Sequence, residues 1–287
     1  MAAVATRVET PELQAPPAAP PRRRWTRFIL PAYVTLVMFY LVAPILVMIL
    51  FSFNDSGFKK VSFRWLGFTG KWFAPSNLFV KQDLTEALKN SLVVAAASAV
   101  IATILGTLVA LALVRYRFRG RTTADFVLFL NIAAPEIVLG ASLLSLFITF
   151  GVPRGLPTII VAHVMFTVAY VAVTVRARLA GFDRSLEEAA QDLGAGPWQT
   201  FRLVTLPLIF PGVIAGGLLA FALSIDDFVI TNFNSGATKT FPLWVYGAVK
   251  VGIPPQVFVM GTLIFGLGVV LAVANVVLQR RKAHLAR

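Results

Sequence analysis

Residues 90–114 read NSLVVAAASAVIATILGTLVALALV, 25 positions without one charged side chain. A helix needs about 20 mainly apolar residues to cross the hydrocarbon core of a bilayer. The run lacks the strict two-residue alternation of a membrane barrel strand, so it reads as a spanning helix. Five more runs of this kind flank it, over residues 28–51, 124–147, 156–175, 208–231 and 256–279. The expected fold class is therefore all-α: a polytopic membrane protein with six transmembrane helices.

The whole chain fits that reading. Of its 287 residues 57% are hydrophobic and only 14% are charged, against about 25% charged in a typical soluble domain. There is no Cys, which excludes thiol catalysis, disulfides and thiolate metal sites. Two His exclude a histidine-rich metal centre. No clustered nucleophile and base appear, so no catalytic and no metal residues are expected. The first run is not a cleaved signal peptide by its pattern: it follows a long polar leader, exceeds the h-region of about 7–15 residues and lacks a small-x-small exit. Residues 1–27 are Ala/Pro-rich in their first part and read as a disordered cytoplasmic tail, with the six-helix domain over 28–287.

The formal net charge is +13. Seventeen of the 26 basic residues fall in the leader, the 115–123 and 176–207 connections and the C-terminal tail. Positive residues crowd the cytoplasmic ends of spans, so both termini are expected in the cytoplasm, with the basic segments against anionic membrane lipid. They are scattered over four segments and form no stripe with interleaved aromatics, which argues against nucleic acid. The long outer segment 52–89 carries Trp65 and Trp72, expected at the membrane interface.

The connection 176–207 is the most informative. Ser185 and Glu188 have capping-box spacing, good helix formers follow, and Gly194 and Gly196 end them. Pro197 suits the first turn of a second short helix with Trp198, Phe201, Val204 and Leu206 on an apolar side. Pro207 and Pro211 mark the entry to the fifth span. This helix–turn–helix reads either as a solvated interfacial loop or as a docking surface for a cytoplasmic partner.

Within the apolar runs, Glu136, Asp226 and Asp227 stand out. A carboxylate deep in a span is expensive and faces a bundle interior or a cavity. Asp226 and Asp227 lie about 100° apart on a helix, so one is free to pair with a neighbouring helix or to cap a helix break. Neutralising both is expected to impair function while assembly survives. Pro135 beside Glu136 permits a kink. His163 reads as a packed, hydrogen-bonded residue. Gly106 and Ala110, and Gly212, Ala215, Gly216, Gly217 and Ala220, read as close helix-packing positions.

Glu188-Ala189-Ala190, Gly194 four positions further on, and the closing Val204-Thr205-Leu206-Pro207 resemble the EAA signature of ABC importer permeases. The resemblance implies the MetI-like permease fold, with a coupling-helix loop over 180–206 that fits a cleft in a cytoplasmic ABC ATPase dimer. It gives Glu188, Ala189, Ala190, Gly194 and Pro207 that role. Leu223 to Ile230 (LSIDDFVI), Phe241-Pro242-Leu243 and Val245 to Lys250 (VYGAVK) are similar to the PotC-type permeases of spermidine/putrescine importers. That likeness implies polyamine transport, a second PotB-like permease subunit, an extracytoplasmic substrate-binding protein and a location in the bacterial plasma membrane. Asp226, Asp227 and Glu136 then become candidates for the substrate path or gate. The chain has no G-x-x-x-x-G-K-[ST] phosphate loop, so no cofactor is expected on it; ATP and Mg would be used by the partner ATPase. Permeases for iron or other organic compounds share parts of the pattern and leave the substrate open. An ion-coupled secondary carrier is the rival class, which the missing inverted repeat disfavours.

Overall fold

A chain in hydrocarbon must satisfy its backbone groups internally, and helices do so within one segment. The computed structural model describes residues 26–56, 64–181 and 183–285, and among them no strand forms beyond one isolated bridge between Asn54 and Phe68. The tail expected over residues 1–27 lies almost wholly outside the described residues. The chain divides into two units, Met1–Val47 and Met48–Arg287. Every described residue of the first belongs to helix α1, Thr26–Ser52.

The second unit is built on three helices: α3 (Gln82–Arg115), α6 (Leu156–Ala180) and α9 (Leu206–Ile225). At 34 residues, α3 is about 50 Å long. Lipid offers no hydrophobic drive for helices to associate, so small residues that let backbones approach supply the packing. Ala99, Ala102, Ala110, Val171, Val175, Ile209 and Ala220 form the buried seam. A Cβ added at Gly106 would lie 2.7 Å from the Val171 Cβ, and one at Gly217 would lie 2.8 Å from the Thr103 hydroxyl. The expected glycine packing is therefore present. Gly106→Leu is expected to force α3 from α6 at a cost of about 1–3 kcal/mol or more. Size-exclusion profiles of the solubilised protein check this; a monodisperse, fully assembled variant would contradict it.

The third run is not a straight span. It forms α4 (Arg121–Ala133) and α5 (Glu136–Thr149), which meet at 109°. Pro135 has no N–H and excludes its predecessor from the helical region, and Ala134 is extended at φ −69°, ψ 137°. The fifth run, expected over 208–231, also breaks: α9 stops at Ile225 and α10 covers Val229–Asn234. Five described helices are each long and apolar enough to cross a membrane, and the bent pair makes a sixth if it counts as one span.

The segment 52–89, expected as a long loop, is partly built into the helical fold. A 3-10 turn over Lys71–Phe73 and the short helix α2 (Pro75–Leu78) precede α3, which starts eight residues before the apolar run. Trp72 is fully buried among Leu78, Leu84, Val257, Val259 and Met260, the last three on α12 (Pro255–Leu285). Its indole N–H donates to the Asn54 carbonyl at 3.0 Å, so the buried polar tip is satisfied within the chain. Trp65 stays exposed. Helix α11 covers Phe241–Val251 and precedes α12.

Candidate functional site

The 180–206 loop folds as α7 (Ser185–Asp192) and α8 (Pro197–Thr200), followed by a π-helical turn over Phe201–Thr205. The expected Ser185–Glu188 capping box does not form. Asp183 lies two residues ahead, and its carboxylate accepts the Ser185 N–H at 2.9 Å. A carboxylate is a stronger acceptor than a hydroxyl, and the bond holds the Asp183 carboxyl below the usual carboxylate range. Gly194 ends α7 at φ +87°, a left-handed conformation that only glycine takes without cost. Pro197 opens α8 as expected, and the Gln199 side chain accepts the Gly196 N–H at 3.0 Å. Pro207 cannot donate to the Leu203 carbonyl, and the wide π turn sits at that gap.

On α7, Glu188 and Ala189 are exposed and Ala190 is half-buried; Gly194 after it and Pro207 at the start of α9 are also exposed. Large apolar side chains join them at the surface: Leu193 is 90% exposed, Leu203 71% and Trp198 69%. The neighbouring Glu187 turns inward. It pairs with Arg115 at the end of α3 and accepts the Thr205 hydroxyl. Its role was missed in the sequence, although Glu187 and Ala190 sit three apart, the spacing of one helix face.

The two adjacent aspartates have different fates. Asp227 is buried. Its two oxygens accept the N–H groups of Ile230 at 3.3 Å and Thr231 at 2.8 Å, and the Thr231 hydroxyl at 2.9 Å. It thus caps the first turn of α10, where anionic groups are favoured. His163 Nε2 lies 3.2 Å from Asp227 Oδ2 and 2.8 Å from Thr231 Oγ1, and Nδ1 lies 2.6 Å from Ser224 Oγ. Ser224 reaches Ser98 at 2.9 Å. One buried polar chain therefore ties α3, α6, α9 and α10 together, and His163 is its hub. The expectation that a double neutralisation spares assembly does not fit this geometry, because half of the pair holds the helix break.

Asp226 is exposed and belongs to no ion pair among the described residues. Its carboxylate lines a cavity of about 910 Å³ between α9, α11 and α12 whose other walls are apolar, including Phe221, Ile225, Phe265 and Leu271. Phe228 and Tyr246 also line it, with ring centroids 4.6 Å apart. The Lys250 ammonium stands 5.4 Å from the Tyr246 ring centre, within the range of cation–π attraction. Glu136 opens α5 at the Pro135 break and is exposed. Of the three carboxylates only Asp226 belongs to the lining of the cavity. No group of side chains able to hold a metal occurs among the described residues.

These features describe a polytopic helical membrane protein in which two apolar runs, 124–147 and 208–231, break beside carboxylates. The chain belongs to the family of binding-protein-dependent transport system inner membrane components, whose pattern matches residues 102–284. It is similar to the spermidine/putrescine transport system permease protein PotC of Escherichia coli K12, 40% identical over 89% of this chain and 96% of the relative. It is also similar to the putrescine transport system permease protein PotI of that strain, 41% identical over 86% and 90%. Among solved structures, a bacterial ABC transporter that imports the acidic polysaccharide alginate superposes at a TM-score of 0.66, with 16% identity over 90% of this chain and 96% of the other. The MetNI methionine ABC transporter superposes at 0.56, with 19% identity over 72% and 98%. The chain is thus a multi-pass protein of the bacterial inner membrane and a transport permease, a non-catalytic class of subunit.

Proposed function

We propose that the chain is one of two transmembrane subunits of an ATP-driven polyamine importer, with both termini in the cytoplasm. A PotB-like permease is its partner in the membrane, a substrate-binding protein delivers the amine outside, and an ABC ATPase dimer hydrolyses Mg-ATP inside. The names of its relatives support the substrate class. The observation that carries the reading is Asp226, the lone carboxylate on an apolar wall beside the Phe228–Tyr246 pair. Polyamines are cationic at neutral pH, since alkylamines titrate near 10. Their ammonium heads suit the carboxylate and the ring faces, and their methylene stems suit the apolar lining. Glu136 adds negative potential along the approach. Asp227 acts one step back, by holding the break that sets Asp226 at the cavity wall.

At the other end, α7 and α8 carry Glu188, Ala189, Ala190 and Gly194 toward the ATPase. Closure of the ATPase on nucleotide would move this pair and expose the central path alternately to the two sides. Its exposed Leu193 and Trp198 suit the apolar centre of an interface. In the reconstituted complex, binding protein loaded with spermidine or putrescine should stimulate ATP hydrolysis and uptake. Flat activity with both amines would overturn the polyamine assignment. Leu193→Glu combined with Trp198→Glu should lower ATPase co-purification at least about tenfold, because each anchor of this kind contributes about 1–2 kcal/mol or more. Undiminished co-purification would remove the docking role.

A further inference from the structure

No residue of helix α7 is fully buried. Apolar packing therefore contributes little to holding it against the membrane helices, and polar contacts supply the link besides the chain itself. Two arginines make those contacts in opposite directions. Arg115, the last residue of α3, pairs with Glu187 in the first turn of α7. Arg184, just before α7, donates to the Val114 carbonyl of α3 at 3.1 Å. Arg115 also donates to Thr205 Oγ1 at 3.1 Å, and the Thr205 hydroxyl bonds Glu187. Thr205 is fully buried and immediately precedes α9. Both ionic side chains are largely shielded, at 23% exposure for Arg115 and 14% for Glu187, so solvent weakens the pair less than it would a surface pair. The cation at the end of α3 is further favoured by the helix dipole.

We infer that Arg115, Glu187 and Thr205 form a rigid joint that transmits displacement of α7 to α3 and α9, with Arg115 and Glu187 as positioning residues for energy coupling. This rests on the proposed docking of the α7–α8 pair to an ATPase. Glu187 serves inside the chain and leaves the exposed Glu188 for the partner. Because α3 and α9 are two of the three core helices, movement of α7 reaches the seam directly and not only through its covalent links.

The test uses the full complex in proteoliposomes with loaded binding protein. Glu187→Gln and Arg115→Met should keep ATPase co-purification and hydrolysis, while amine transported per ATP falls at least about tenfold, the scale of one charge-assisted contact. The reversed pair, Arg115→Glu with Glu187→Arg, should recover most of that loss. Transport per ATP equal to wild type in Glu187→Gln overturns the joint. So does loss of co-purification in that variant, which would place Glu187 in the docking face, and so does a reversed pair as uncoupled as the single variants. A wild-type chain that retains no ATPase overturns the docking reading, and the joint with it.

Discussion

Asp226→Asn is expected to cut amine uptake about 10- to 100-fold in kcat/KM, because a hydrogen bond or contact to a charged group contributes about 1.5–3 kcal/mol. The assembled amount of transporter should not change. Asp226 is exposed to the cavity, holds no ion pair among the described residues, and stands where α9 has already ended. Asn preserves its size and its ability to bond to the local backbone, and removes only the charge. The measurement is initial uptake in proteoliposomes normalised to complex present. Uptake unchanged by the substitution would take Asp226 out of the substrate path.

Asp227→Ala should fail in a different way. The carboxylate accepts two α10 backbone N–H groups and the Thr231 hydroxyl and faces His163, all in a buried setting. Removing one partner of a buried charged cluster costs about 3–5 kcal/mol, since the remaining groups stay desolvated and unpaired. Assembled complex in the membrane should fall sharply, with any residual complex keeping its amine preference. Thermal denaturation in detergent checks this. A variant with wild-type stability would show that the chain from Ser98 through His163 does not hold the α9–α10 break. Neighbouring aspartates thus predict opposite phenotypes, one in transport and one in assembly.

Much of this was legible before any coordinates. Long apolar runs announce membrane helices because water and hydrocarbon differ so strongly, and the Gly106 and Gly216 stretches announced close approach. The 185–207 helix pair was readable from Gly194, Pro197 and Pro207, since glycine and proline act through their own backbones. His163 was read as a packed residue, which it is. What stayed hidden has one cause: contacts between residues far apart in the chain. Nothing local in the sequence reveals Asn54 or Val259 as neighbours of Trp72. Glu188 drew the notice that Glu187 shares, because the Arg115 partner lies 72 positions away.

The sequence by itself determined the helical class, the spans, the loop outside them and the few carboxylates worth asking about, because these follow from local composition and backbone chemistry. Only the tertiary structure decided that the Pro135 kink is a 109° turn, that Asp227 is a cap while Asp226 lines a cavity, and that Arg115 meets Glu187. Two adjacent residues on one strand of chain have the same local chemistry. Their roles separate when distant helices bury one and leave the other exposed, and that distinction is carried by packing alone.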